Sequence, residues 1–122
     1  MATILIRFTQ SPYGTAISQD GLDFTLAATN YGHNVIVLFE GEGVLQLTKT
    51  PSRKGIKNHS KRLASMPFFD IEDCYICKDS AENFQIHTLF ENTQVIEEIE
   101  AQFVTAHERV ALVEKADHVV TF

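Results

Sequence analysis

Residues 34–40, Asn-Val-Ile-Val-Leu-Phe-Glu, decide the fold class of this chain. The centre of this segment, from Val35 to Phe39, is continuously apolar and rich in β-branched side chains, which is typical of a strand covered on both faces. A strand that is covered on both faces needs packing layers on both sides of its sheet, and in parallel α/β proteins these layers are helices. The segment therefore predicts a central strand of a parallel sheet.

On either side of this segment, strand patterns alternate with helical patterns. Apolar and alternating runs predict further strands at residues 2–9, 74–77, 85–90 and 118–122. Helical spacing and capping signals predict helices at residues 15–30, 44–48, 58–66, 79–84 and 93–115. A break at Val104 and Thr105 can divide the last of these into two helices. The alternation predicts an α/β fold, with a doubly wound, mainly parallel five-stranded sheet and helices on both faces.

Length and composition are those of one folded domain. The chain has 122 residues, of which 44% are hydrophobic, and a domain of this size hides roughly two-thirds of the surface of its unfolded chain. We therefore expect a single domain over residues 1–122. Because no apolar run approaches the ~20 residues of a membrane-spanning helix and the first residues lack a basic region, we expect a cytoplasmic protein without membrane contact.

The charges are unevenly distributed along the chain. Ten basic and 16 acidic residues give a net charge of −6, which argues against a general nucleic-acid-binding protein. Residues 49–62 nevertheless contain six of the ten basic residues and no acid: Lys49, Arg53, Lys54, Lys57, Lys61 and Arg62. This basic segment suits docking to an acidic protein or a phosphate, although a solvated surface is the more common reason for such a run.

Cys74 and Cys77 are the only cysteines. In a strand, their odd separation places the two thiols on opposite faces, with Cα atoms ~10 Å apart at ~3.3 Å per residue. That distance exceeds the ~7 Å limit for a disulfide. One cysteine pair without suitably spaced histidines also falls short of the ligands of a structural zinc site. We therefore expect two free thiols, with neither a metal nor another cofactor.

Cys77 is the one candidate catalytic residue. It lies where the predicted strand ends and a helix begins, at the sheet edge where open α/β sheets bind ligands. A helix N-terminus and the adjacent Lys78 favour a thiolate nucleophile, whereas Asp79 and Glu82 oppose it. The alternative is an inert, buried cysteine, which is the more common state of this residue in a sheet and the one that we expect of Cys74.

Several different short motifs follow one another along the chain. In order, they are Pro12-Tyr13-Gly14-Thr15-Ala16, Gly21-Leu22-Asp23, Leu38-Phe39 with Gly43-Val44 and Leu47, Asp70-Ile71-Glu72 before Cys74-x-x-Cys77, and Asp117 with Val120 and Phe122. Together they resemble the TusC (DsrF-like) family of the DsrE superfamily. The resemblance extends from the first helix to the last residue, and it implies a small α/β fold.

The resemblance also implies a function. Members of this family form a TusB–TusC–TusD heterohexamer, a dimer of heterotrimers, which passes persulfide sulfur from a TusA-like donor to a TusE-like acceptor and on to 2-thiouridine at the tRNA wobble position. The TusD subunit carries the persulfide, and a TusC-like chain mainly builds the complex. We therefore expect a non-catalytic, structural subunit of a sulfurtransferase complex, without direct contact to nucleic acid.

Two alternatives remain open. Cys77 lies near the position of the superfamily's persulfide cysteine, so it is a candidate to carry persulfide sulfur itself. The chain is also compatible with a DsrF-like subunit of a dissimilatory sulfur-oxidation complex.

Overall fold

The structure is a computed structural model, and it describes residues 2–10, 17–47, 63–69, 71, 73–83 and 101–122. Within these ranges, one sheet contains β1 (Thr3–Phe8), β2 (Asn34–Phe39), β3 (Asp73–Cys77), β4 (Gln102–Val104) and β5 (His118–Thr121). The strand order is β4-β3-β2-β1-β5, and every neighbouring pair is parallel. The α-helices are α1 (Ile17–Asn30), α2 (Lys78–Asn83) and α3 (Ala106–Lys115), and 3₁₀ helices span Gly41–Leu47 and Met66–Phe69.

The central strand β2 is buried on both faces, as its apolar sequence predicts. Each residue from Val35 to Phe39 is buried, and β1 pairs with β2 along its whole length, from Thr3 opposite Asn34 to Phe8 opposite Phe39. Successive side chains of these strands point to opposite faces of the sheet and enter two separate apolar cores. We call these sides the first face and the second face.

The first face carries the main core. The rings of Phe8 and Phe39 stack there with centroids 5.4 Å apart. Helix α1 covers this face through Leu22, and the 3₁₀ helix Gly41–Leu47 contributes Val44. These layers bury the first face completely at its centre.

The second face has a smaller core, formed by Leu5, Ile36, Leu38 and Val104. Helix α3 covers it through the partly buried Leu112 but contributes no fully buried residue of its own. Helices therefore lie on both faces, which confirms the predicted doubly wound α/β sheet. Among the described residues, the cover of the second face is the thinner of the two.

The neighbouring strands β3 and β4 are followed by helices on opposite faces. Helix α2 follows β3 and places Ala81 in the first-face core, whereas α3 follows β4 and lies over the second face. In an open α/β sheet, such a reversal leaves a crevice at the carboxyl ends of the two strands. Cys77 ends β3 and is paired in register with Val104, which ends β4.

Most predicted elements in the described ranges are confirmed, with ends that agree to within about two residues: β1, α1, β2, β3, α2 and β5. The short helix predicted at 44–48 is a 3₁₀ helix that begins earlier, at Gly41. The basic segment 49–62 and the strand predicted at 85–90 lie outside the described residues, as does most of the helix predicted at 58–66. None of the described helices has the length and apolarity that crossing a membrane requires.

The prediction of a helix over residues 93–115, with a possible break at Val104 and Thr105, is confirmed for Ala106–Lys115 but wrong at residues 102–104. Residues 102–104 form β4, in which Phe103 pairs with Ile76 of β3. Thr105 then caps α3: its side chain accepts a hydrogen bond from the Glu108 amide while the Glu108 side chain accepts one from the Thr105 amide. This capping box begins the helix only after the strand has ended.

The strand also changes which side of α3 faces the sheet. A continuous helix would have turned Val110 and Val113 inward, but these side chains are 54% and 40% exposed. Leu112 and Ala116 pack on the second-face core instead. The helical period cannot continue through an extended segment, so the predicted apolar stripe has the wrong phase.

Cys74 lies in the first-face core, with 4% of its surface exposed. Burial, followed by the negative charge of Asp73, raises the pKa of the Cys74 thiol from 9.0 to about 12. The thiol therefore stays protonated at neutral pH, and it is a poor nucleophile.

We predict that Cys74 makes the protein less stable at alkaline pH. The folded protein keeps this proton up to a pKa of about 12, whereas the unfolded thiol releases it above 9.0, so stability falls as pH rises through 9.0. Between pH 8 and pH 10, the free energy of unfolding of the wild type should fall by roughly 1–2 kcal/mol more than that of Cys74→Ala. Urea titrations measure both, and parallel pH profiles would contradict the prediction.

We also predict that Gly43→Ala is strongly destabilising. A Cβ atom on Gly43 would overlap the backbone carbonyl of Phe8, which the sheet holds in place. The cost should be about 3 kcal/mol in the free energy of unfolding. Gly32→Ala is the matched control: Gly32 has a φ of 84° but open space around it, so the cost there is only ~1 kcal/mol of backbone strain. Equal losses in the two variants would show that the overlap is not the cause.

Candidate functional site

The candidate site is built around Cys77 at the carboxyl end of β3. Its thiol is free, only 2% of its surface is exposed, and α2 begins at the next residue, Lys78. The alternation along β3 places Cys77 on the second face, whereas Cys74 and Ile76 enter the first-face core. The structure thus confirms that the two thiols lie on opposite faces and that Cys77 lies at a strand-to-helix junction.

Arg109 of α3 contacts this thiol. Its Nη1 atom donates to the Cys77 Sγ atom over 3.7 Å. Arg109 follows the N-cap Thr105 by one helical turn, and its amide donates to the Thr105 carbonyl at 2.9 Å. It also precedes Leu112 by three residues, so both side chains lie on the side of α3 that faces the sheet. The capped start of α3 directly after β4 therefore positions this guanidinium.

Glu40 is the second charged group of the site. It follows β2 directly and is 4% exposed. Its Oε2 atom accepts a hydrogen bond from Arg109 Nη1 at 2.9 Å, and its Oε1 atom accepts from the Nε and Nη2 atoms of Arg7. One buried carboxylate is thus shared by two guanidinium groups, and we call these three residues the Arg7–Glu40–Arg109 cluster.

The cluster has a clear electrostatic consequence. A buried carboxylate without partners would be costly, and charge-assisted hydrogen bonds to both of its oxygen atoms offset that cost. Glu40 neutralises only one of the two arginines, so the cluster keeps one positive charge. Since Arg109 also contacts Cys77, a cation lies next to the sulfur.

A groove of about 420 Å³ borders the cluster. Its walls combine polar and apolar side chains: Arg7, Arg109, Val110, Val113 and Glu114. The side chains of Arg7 and Arg109 are each 35% exposed, so both are accessible although they pair with a buried carboxylate. The groove suits a side chain or a short segment of another molecule better than a fully enclosed ligand.

The sequence indicates Cys77 as a candidate residue, whereas its charged neighbours were not predicted. Arg7 interrupts an otherwise apolar strand, and Glu40 follows the most apolar strand directly; a charge at the end of a buried strand is the signal that could have indicated both. Nothing marked Arg109, because the helix that carries it was predicted with the wrong phase. Across the part of the chain that the structure describes, no group of three or more histidine, cysteine or acidic residues could hold a metal ion.

The comparisons with known proteins agree with this fold. Over its full length, the chain has the fold of the ychN protein from E. coli, with a TM-score of 0.83 at 19% identity and complete coverage of both chains. The protein BT1422 from Bacteroides thetaiotaomicron is also similar, with a TM-score of 0.64 at 14% identity over 98% of this chain and 94% of the other. These likenesses establish the fold alone.

The sequence comparisons establish the family. A curated relative, "Protein TusC homolog" from Vibrio parahaemolyticus serotype O3:K6, is 33% identical over 82 residues, which cover 66% of this chain and 70% of the relative. The model of the DsrE/DsrF-like family matches residues 2–122. Together these matches confirm the resemblance on which the sequence analysis relied. The chain belongs to the DsrE/DsrF-like family.

Proposed function

We propose that this chain is a subunit of a sulfur-relay complex and that it serves mainly to build the assembly. Membership of the DsrE/DsrF-like family and the similarity to a TusC homolog support this role. The direct partners are then TusB-like and TusD-like subunits, arranged as a dimer of heterotrimers. Such a complex passes persulfide sulfur from a TusA-like donor to a TusE-like acceptor, towards 2-thiouridine at the tRNA wobble position.

The observation that carries this proposal is the thin cover of the second face. Helix α3 buries no residue, and Val110 and Val113 point away from the core. Val119 of the edge strand β5 is 41% exposed and is paired with Leu5, so its side chain also lies on the second face. These exposed apolar side chains belong to the same side of the sheet, where a partner subunit would bury them.

The burial of Cys77 also favours an assembly role. Sulfur transfer to a thiol requires a donor sulfur to reach the Sγ atom, and Cys77 is only 2% exposed. Arg109 occupies the position beside that atom. The sulfur relay proposed for the complex then runs through another subunit. Because the relay hands sulfur from protein to protein, this chain has no direct contact with tRNA. The proposed place of action is the cytoplasm.

A second candidate function is that Cys77 itself carries persulfide sulfur, and the Arg109 contact favours it. The Cys77 thiolate would attack the terminal sulfur of a donor persulfide. A new S–S bond forms at Cys77 as the donor's S–S bond breaks, and the donor leaves as a thiolate. No outside oxidant is needed. The positive charge of the cluster would stabilise the persulfide anion that results.

Mixing the purified chain with TusB-like and TusD-like subunits should give a single dimer of heterotrimers, which native mass spectrometry would identify by its mass. A chain that stays apart from both partners would contradict the proposed role. The acceptor distinguishes tRNA thiolation from dissimilatory sulfur oxidation. Delivery of sulfur to a TusE-like protein supports tRNA thiolation, whereas a complex that does not deliver sulfur to it favours sulfur oxidation.

We predict that charge on the exposed side of α3 weakens this assembly. The double substitution Val110→Asp and Val113→Asp would place two carboxylates in an apolar interface and should lower the affinity for the partners at least about tenfold. Tyr31→Asp is the matched control, because Tyr31 is an exposed residue in the turn after α1. Equal affinities for both variants, measured by titration calorimetry, would exclude α3 as the interface.

The second candidate has its own test. After exposure to a loaded persulfide donor, intact-mass spectrometry should show one added sulfur on the wild type and none on Cys77→Ser. A wild type that never gains sulfur, or a Cys77→Ser variant that still does, would count against Cys77 as the carrier.

A further inference from the structure

The environment of Cys77 combines features that neither an inert core thiol nor an open active site needs. The thiol is almost fully buried, yet the side chain that contacts it, Arg109, is 35% exposed and reaches it from the groove. Along the sheet, Cys77 is paired with Val104, which is itself buried. A partly exposed side chain therefore covers a buried thiol at the sheet edge.

The backbone around this side chain is fixed. The strands β4 and β5 flank α3 directly, and after the helix Asp117 is tied to β1: its amide donates to the Thr3 carbonyl and its carboxylate accepts from the Thr3 amide, both at 2.8 Å. The capping box holds the other end of the helix. Access to Cys77 through this side can therefore change by rotation of the Arg109 side chain, without movement of the helix.

Glu40 holds Arg109 in the covering position. The Oε2 atom of Glu40 accepts the Arg109 hydrogen bond at 2.9 Å, whereas Arg7 is bound to the other oxygen atom. When Arg109 turns away, Glu40 keeps its partner Arg7 and does not become an unpaired buried carboxylate. The largest cost of breaking a buried ion pair is thereby avoided, because that cost comes from leaving one charge alone.

We propose that Arg109 is a side-chain gate over Cys77, that Glu40 holds the gate closed, and that Arg7 allows it to open. The closed gate keeps the thiol away from small oxidants and from a wrong sulfur donor. The open gate gives the thiol access to the groove lined by Arg7 and Val113. This inference rests on the second candidate function and adds a way in which it is controlled. The gate itself concerns only the access of other molecules to the Cys77 thiol.

The test measures the rate at which iodoacetamide labels each cysteine in the native protein, with the label located by tandem mass spectrometry. In Arg109→Ala, the rate at Cys77 should rise at least about tenfold, because the covering side chain is gone. Labelling is followed from pH 7 to pH 10. Once a thiol is fully ionised, a variant that differs from the wild type only in thiolate fraction is labelled at the wild-type rate, whereas a variant that differs in access is not. The labelling rates are therefore compared on the high-pH plateau.

Arg7→Ala is the matched control. Arg7 also pairs with Glu40 and has the same exposure as Arg109, yet Cys77 is contacted by Arg109. Because Arg7 lets Glu40 release Arg109, the loss of Arg7 should leave the labelling rate at Cys77 equal to or below the wild-type rate, and it should not raise it. Glu40→Gln, which keeps the size of the side chain but removes the ion pairs, should give a smaller rise than Arg109→Ala.

Cys74 is the internal reference, because it lies in the main core and becomes labelled only when the whole domain opens. An unchanged plateau rate in both Arg109→Ala and Glu40→Gln would overturn the gate. Equal rises of the labelling rate at Cys77 in Arg109→Ala and Arg7→Ala would also overturn it. The same holds for a rise at Cys77 that is accompanied by an equal rise at Cys74. If the gate opens as expected but the opened thiol never accepts sulfur from a donor, the second candidate function fails and the gate stands.

Discussion

The burial of β2 on both of its faces is the constraint on which the rest of the structure depends. A strand that is apolar from Val35 to Phe39 must be covered on two sides, so the chain places α1 on one face and α3 on the other. Helix α2 follows β3 on the first face whereas α3 follows β4 on the second, and this reversal creates the crevice in which Cys77 lies. The position of the candidate site follows from the way the sheet is covered.

The same constraint explains the charges at the site. The first residue after the apolar run of β2 is Glu40, and the burial of its neighbours keeps its carboxylate out of water. Arg7 from β1 and Arg109 from α3 stabilise it, and they thereby link strands and helix at the sheet edge. The excess positive charge next to Cys77 is a consequence of this pairing. A structural ion-pair cluster thus places a positive charge next to a thiol without a dedicated catalytic residue.

The sequence predicts the architecture well where burial is strong and local. The central strand and the position of Cys77 at the end of β3 both follow from apolar runs and turn signals. It predicts the site less well because ion pairs between distant residues leave no local pattern: Arg109 and Glu40 are 69 positions apart. The three-residue strand β4 is the clearest failure, since a helical period on both sides of it conceals so short a break.

The central claim is that the thin second face is completed by partner subunits, with α3 as the docking surface. Amide hydrogen exchange of the chain alone and in complex with TusB-like and TusD-like subunits tests this most directly. The account predicts that exchange in Ala106–Lys115 slows at least about tenfold in the complex, while exchange in Ile17–Asn30 changes little. Unchanged exchange in α3, together with new protection over α1, would contradict it.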